Sequence, residues 1–167
     1  MLKKLFGRKE VDPTVTLKAP LTGKLVPLEQ VPDPVFSQKM MGDGIAIEPS
    51  NGEVVSPLSG EVIQVFPTKH AIGIKAPNGL EVLIHVGLET VSMNGEGFES
   101  HVQEGAKVKA GDILLTVDFD KVKEKAKSSI TPIILTNSDQ IDSMNVIAPE
   151  TVEKGITDVV IVTVKGS

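Results

Sequence analysis

The stretch Thr68-Lys69-His70-Ala71-Ile72-Gly73-Ile74-Lys75-Ala76, Pro77-Asn78-Gly79, Leu80-Glu81-Val82-Leu83-Ile84-His85-Val86-Gly87 decides how this chain is read. Two apolar, β-branched runs flank Asn-Gly, the strongest short-range signal for a hairpin, because both central residues of a type I′ turn need positive φ. With Asn78 and Gly79 as a two-residue turn, Ile72 lies opposite His85 and His70 is the diagonal neighbour. Diagonal Cα atoms are about 7–8 Å apart, so the two imidazoles would share one face and could touch. Thr68 shares the parity of His70 and would offer a hydroxyl beside it. A one-residue change of register would send the rings to opposite faces.

Outward from the hairpin, turn formers recur at short intervals: Thr22-Gly23, Pro32-Asp33-Pro34, Gly42-Asp43-Gly44, Ser50-Asn51-Gly52, Ser59-Gly60 and Gly111-Asp112. Between them lie short runs such as Ile45-Ala46-Ile47, Glu61 to Phe66, Ile113 to Val117 and Val159 to Val164. That rhythm predicts an all-β sandwich or barrel. Helix is expected only as one turn from Leu28 to Val31, stopped by Pro32, and as a short helix over 120–127 capped by Asp118 or Asp120. The lysines at 121, 123, 125 and 127 read as a solvated face. Ala19-Pro20-Leu21-Thr22-Gly23-Lys24-Leu25-Val26 is echoed 37 residues later by Ser56-Pro57-Leu58-Ser59-Gly60-Glu61-Val62-Ile63, which points to a duplicated supersecondary unit.

Composition narrows the class. The chain has 167 residues, 40% hydrophobic, enough for one domain with a real core. It has no cysteine, which excludes disulfides, thiolate metal sites and a thiol nucleophile. The net charge is −5; Lys3, Lys4, Arg8 and Lys9 leave 13 basic and 22 acidic side chains in the rest, a net of −9. An acidic body without Trp or Tyr argues against nucleic acid as a ligand. No apolar run reaches membrane-spanning length and none resembles a signal peptide, so a cytoplasmic protein is expected. Residues 1–14 read as a flexible segment, and Met1 to Phe6 could at most make weak membrane contact. One domain is expected over 15–167.

Two adjacent imidazoles support three chemistries. One ring can take a phosphoryl group while the other hydrogen-bonds its oxygens. The pair can give two ligands to Zn²⁺. One ring can act as a general base for a nucleophile elsewhere. His101, the third histidine, has no such neighbour. No glycine-lysine phosphate loop and no kinase metal motif is present, so phosphate, if it comes, is expected to arrive on another protein.

Here the residues resemble a known family. Leu83-Ile84-His85-Val86-Gly87-Leu88-Glu89-Thr90-Val91, followed by Asn94-Gly95-Glu96-Gly97-Phe98, is similar to the phosphorylation-site signature of glucose-type enzyme IIA proteins of the bacterial phosphoenolpyruvate-dependent sugar phosphotransferase system. Supporting matches are Ala19 to Gly23, Val31 to Phe36, Gly42 to Ile47 and Thr68 to Ala71, in order from about residue 15 to the C-terminus. The resemblance implies an antiparallel β-sandwich built on a duplicated hybrid motif. It implies that His85 accepts phosphate on Nε2 from the phosphocarrier HPr, that His70 stabilises the phosphate and aids transfer, and that Thr68 supports His70. A cysteine of an enzyme IIB domain then takes the phosphate. It further implies a docking surface of Val35, Phe36, Met40 and Met41, with Phe66, Ile72 and Leu83 nearby and the acidic Asp33 and Glu89 at its edge. Met40 and Met41, read as strand neighbours, should have at least one side chain buried. Glu89 stands where several relatives carry Asp.

Three other readings compete. A zinc hydrolase would need further ligands that the His70 and His85 contexts lack, although weak Zn²⁺ binding by the pair at a partner interface is compatible with a carrier; no cofactor is required. A swinging-arm carrier needs a hairpin lysine, and Gln38-Lys39-Met40 lacks the hairpin. A regulatory protein that binds targets according to its phosphorylation state would use the same face.

Overall fold

Among residues 11–165, which the computed structural model describes, strands form three antiparallel sheets. The largest runs in the order β13 (Thr151–Val152), β2 (Gly23–Pro27), β3 (Asp43–Pro49), β11 (Thr131–Leu135), β7 (Glu81–His85), β6 (Ala71–Lys75), β5 (Gly60–Val65) and β9 (Lys107–Val108). A second is β1 (Thr14–Lys18), β14 (Asp158–Val164) and β12 (Ile141–Val146), and a third is β4 (Glu53–Val55), β10 (Ile113–Val117) and β8 (Phe98–Ser100). The expected antiparallel β-sandwich is the fold, and no sheet closes into a barrel.

The large sheet buries both faces, because its central strands alternate apolar side chains on each. On the inner face a row of paired residues, Ile45, Ile133, Ile84 and Ile72, joins the main core shared with the two small sheets. On the outer face Ala46, Ile134, Leu83 and Ala71 form a smaller cluster, covered by Leu28, Val31, Phe36 and Leu88. That outer cluster is the floor of the site described below.

The hairpin forms, but its register differs by one residue from the expectation. Ala71 pairs with His85 and Ile72 with Ile84. Gly79 N–H donates to Ala76 O (2.9 Å), and Ala76 N–H donates to Leu80 O (2.8 Å). Pro77-Asn78-Gly79 is therefore a three-residue loop with Gly79 alone at positive φ (94°), while Asn78 does not take the positive φ a type I′ turn requires. Proline explains the change: its fixed φ near −65° suits the first central position of a type I turn, and glycine then supplies the left-handed bulge. Ile72 consequently points to the inner core, fully buried, and not toward His85.

The echo at 37 residues is a structural two-fold. Lys18 N–H donates to Pro57 O (2.8 Å), and Val55 N–H donates to Pro20 O (2.9 Å), the same bond with the two copies exchanged. Gly155 N–H caps Ala19 O as Gly111 N–H caps Ser56 O, both at 2.8 Å. Gly23 and Gly60 are required by close approach, since a Cβ would lie 2.1 Å from Glu48 O at the first and 2.3 Å from Lys75 O at the second.

Helix is confined to short pieces, as expected, but 3₁₀ turns at Thr90–Met93 and Ser138–Gln140 add to the expected set. One 3₁₀ turn covers Leu28–Gln30, and a helix covers Phe119–Lys125 with Asp118 as its N-cap. The sequence reading did not include α1 (Pro34–Ser37), whose Asp33 side chain accepts from Val35 N–H at 2.9 Å and whose proline sits at N1. The Phe119–Lys125 helix is α2. Of the expected N-terminal segment 1–14, residues 1–10 lie outside the described residues, together with its proposed membrane contact, and β1 begins at Thr14.

Candidate active site

The His70 and His85 rings meet on the outer face of the large sheet, with centroids 4.9 Å apart and planes at 79°. His85 ends β7 in the outer-face row, opposite Ala71. His70 reaches the same face by a different route from the one parity suggests. It lies in the turn before β6, where Lys69 at φ 59° reverses the chain. Lys69 N–H donates to Phe66 O (2.7 Å), and His70 O accepts from Val86 N–H (2.7 Å), fixing the turn to the end of β7.

Each imidazole is held by its Nδ1. His85 Nδ1 is 2.9 Å from Gly87 O. A carbonyl only accepts, so neutral His85 carries its proton on Nδ1 and leaves a lone pair on Nε2. His70 Nδ1 is 2.5 Å from Thr68 Oγ1. If the hydroxyl donates, Nδ1 is the acceptor and Nε2 carries the proton. The nitrogens left over are Nε2 on both rings: that of His85 is able to attack, and that of His70 is able to donate in the tautomer in which the Thr68 hydroxyl donates. An aromatic ring braces each: Phe36 against His85 (centroids 5.0 Å) and Phe66 edge-on to His70 (5.4 Å).

Burial keeps both rings neutral near pH 7. His70, 3% exposed, has its pKa lowered from 6.5 to about 4, first by loss of solvent and then by the neighbouring His85. His85 is also lowered by burial; the Gly87 carbonyl and the Asp33 charge oppose that shift. Asp33 therefore has two tasks, N-cap of α1 and charge facing His85.

Gly87 was missed as a functional residue by sequence reasoning. Its φ is 75°, and a Cβ there would meet Thr90 Cγ2 at 2.6 Å and Ser128 O at 2.9 Å. Thr90, fully buried, donates its hydroxyl to Val86 O (2.6 Å) and locks the same loop. The signal was present as a glycine two residues after a histidine, but only the loop geometry shows its carbonyl facing Nδ1. Among the described residues four non-glycine positions have positive φ: Lys39 after α1, Lys69 just before His70, and Glu89 and Asn94 at the two ends of the 3₁₀ turn Thr90–Met93 that follows Gly87. Strain of this kind concentrates where surrounding structure must hold a fixed geometry.

The other expected site residues separate into floor and rim. Phe36 and Leu83 are buried beneath the rings and Phe66 is half-buried. Val35, Met40 and Met41 are exposed (39%, 69% and 37%), as is Glu89. Met40 and Met41 stand in the turn after α1, not on a strand, which is why neither is buried. Ile72 is absent from this face. Lys39, between Gln38 and Met40, has its ammonium taken by Glu29 (3.1 Å) and Asp43 (3.4 Å). His101 lies apart, with Nε2 2.6 Å from Thr116 Oγ1. Among the described residues no third His, Asp or Glu joins His70 and His85 in a metal-binding group.

The chain is similar to known proteins over nearly its whole length. Residues 15–141 match the family model described as phosphoenolpyruvate-dependent sugar phosphotransferase system, EIIA 1. A protein of Bacillus anthracis named PTS system glucose-specific EIIA component is 58% identical over 165 residues, covering 99% of this chain and 100% of that one. A protein of the same name from Staphylococcus epidermidis is 54% identical over 98% of this chain and 99% of its own length. The solved glucose permease IIA from Mycoplasma capricolum superposes with a TM-score of 0.83 at 40% identity, covering 88% of this chain and 95% of that one.

Proposed function

The chain belongs to the EIIA 1 family of the phosphoenolpyruvate-dependent sugar phosphotransferase system, and on that premise we propose that His85 is the residue on which it carries phosphate. The protein is a phosphoryl carrier and phosphotransferase component of that system. The observation that supports His85 over His70 is the bond from its Nδ1 to the Gly87 carbonyl, which leaves Nε2 unprotonated.

In the proposed step the Nε2 lone pair of His85 attacks the phosphorus of phosphohistidine on HPr. A new N–P bond forms as the donor's N–P bond breaks. The positive charge gained by the ring is spread toward Nδ1–H, which donates to the Gly87 carbonyl and is stabilised by its dipole. His70 Nε2–H donates to a phosphoryl oxygen, and the Thr68 hydroxyl holds His70 in that tautomer. In the second step a cysteine thiolate of an enzyme IIB domain attacks the same phosphorus from the side opposite Nε2, and the N–P bond breaks. Both rings start neutral, so accepting phosphate does not wait on deprotonation of either ring near pH 7. Preorganised rings in a partly dry site supply positioning and charge stabilisation without a metal. The two Nε2 atoms would hold Zn²⁺ only once His70 Nε2 gives up its proton, and then weakly unless a partner adds ligands.

Docking uses the rim. Val35, Met40 and Met41 offer an apolar patch flanked by Asp33 and Glu89, the composition of a transient interface. Methionine suits a surface that must fit HPr and enzyme IIB in turn. Regulatory targets that read the phosphorylation state would dock here too. No helix among the described residues is long and apolar enough to cross a membrane, in keeping with a cytoplasmic carrier.

The test is labelling from phosphoenolpyruvate through enzyme I and HPr. His85→Ala should take no label, whereas His70→Ala should take label and fail to pass it on. Full labelling of the His85 variant overturns the assignment.

A further inference from the structure

We propose that Lys127 is a positioning residue that straps the α1 cap to the His85 loop and so holds the docking rim in place. This rests on the reading of the pair given above. The lysine run 121–127 is not uniform. Lys121 and Lys125 both face Glu96 (3.8 and 2.7 Å), which ties α2 to the loop after His85. Lys127 lies beyond the end of α2 and does something else. Its backbone N–H donates to Leu88 O (3.2 Å), and Leu88 N–H donates to Ser128 O (2.9 Å), so residues 127–128 form a short antiparallel bridge with the loop that carries Gly87. Its ammonium meanwhile donates to Pro32 O at 2.7 Å.

Pro32 directly precedes Asp33 and α1, whose inner side is fixed by buried Val31 and Phe36 and whose far end is held by Lys39 bonded to Glu29 and Asp43. α1 is a single turn, too short to be stable by itself. It carries Phe36 against His85, Asp33 facing His85, and exposed Val35 on the rim. Lys127 thus links the two strips that flank His85, by backbone on one side and by side chain on the other. The backbone bridge does not depend on the side chain. Removing the ammonium should therefore loosen the cap and leave the Gly87 anchor intact. The effect belongs in docking rather than in the intrinsic reactivity of the ring.

The experiment compares Lys127→Met, which keeps the apolar stem, with Lys127→Arg, which keeps a cationic donor. Two phosphoryl donors are used on the full chain: phospho-HPr, which must dock, and phosphoramidate, a small donor that need not. For Lys127→Met the KM for phospho-HPr should rise three- to ten-fold, with kcat and the phosphoramidate rate within two-fold of wild type. Lys127→Arg should restore KM. An unchanged KM overturns the proposal, and so does a fall in both reactions together, which would place the lysine's effect on the ring or the fold. Failure of Arg to rescue also counts against it. Wild-type protein labelled from neither donor would overturn the underlying reading of the pair, a failure recognisable before any variant is compared.

Discussion

Replacing Thr68 with valine removes one hydroxyl and almost no volume, and should separate receiving phosphate from giving it up. His70 is 3% exposed, and the Thr68 hydroxyl is the partner of its Nδ1. Without that hydroxyl the buried nitrogen is left unsatisfied, or the ring changes tautomer and turns an acceptor toward the phosphate. An unmet buried polar group costs about 1–3 kcal/mol. If that energy is expressed in the transition state of transfer, the rate falls roughly 5- to 150-fold, at tenfold per about 1.4 kcal/mol. In the proposed first step, accepting phosphate depends first on the His85 lone pair, which the bond to Gly87 O fixes independently. The assay is rapid-quench transfer from the labelled protein to a purified enzyme IIB domain. Thr68→Val should reach full labelling at equilibrium yet release phosphate at the reduced rate, and Thr68→Ser should recover most of it. Onward transfer within two-fold of wild type, with the fold intact by circular dichroism, would refute the role assigned to this bond.

Other perturbations follow from the same geometry. Gly87→Ala forces a Cβ against Thr90 and Ser128 at positive φ, and should destabilise the fold by about 2–4 kcal/mol in urea titration, combining left-handed strain with overpacking. His70 has a folded pKa of about 4 against 6.5 unfolded, so the unfolded state binds more protons between those values. Its stabilising contribution is complete above pH 6.5 and is lost as pH falls toward 4. It amounts to at most about 3 kcal/mol at 1.36 kcal/mol per pH unit, and the urea midpoint of His70→Gln should vary less over that window than that of wild type. Peroxide should oxidise Met40 and Met41 before buried Met93, converting the apolar rim to sulfoxide. The KM for phospho-HPr should then rise, and a Met40→Leu, Met41→Leu double variant should resist the change.

The sheet architecture was legible because turn formers and β-branched runs alternate along the whole chain, and the 37-residue echo proved to be a reciprocal hydrogen-bonded two-fold. The hairpin shows where such reading stops. Asn-Gly specified a turn, but Pro77 in front of it lengthened the loop to three residues and shifted the register by one. By parity alone the rings would then have faced apart. They meet because Lys69 takes a left-handed conformation, which places His70 outside the strand period. Nothing in a lysine's chemistry announces that conformation; the turn from Phe66 to Ala71 imposes it. Ile72 was misplaced for the same reason of register. α1 escaped notice because four residues show no helical period, although Asp33-Pro34 carried both a cap and an N1 signal. The Gly87 carbonyl is a backbone group, and side-chain motifs do not report where a carbonyl points.

The central claim is that two fixed tautomers divide the work of the pair, and the ring nitrogens report this directly. Histidine ¹⁵N resonances of the labelled protein, recorded at neutral pH before and after phosphorylation by HPr, should show the proton of His85 on Nδ1 and that of His70 on Nε2. Phosphorus coupling should then appear on His85 Nε2 alone. Coupling on His70, or on Nδ1 of either ring, would contradict the account.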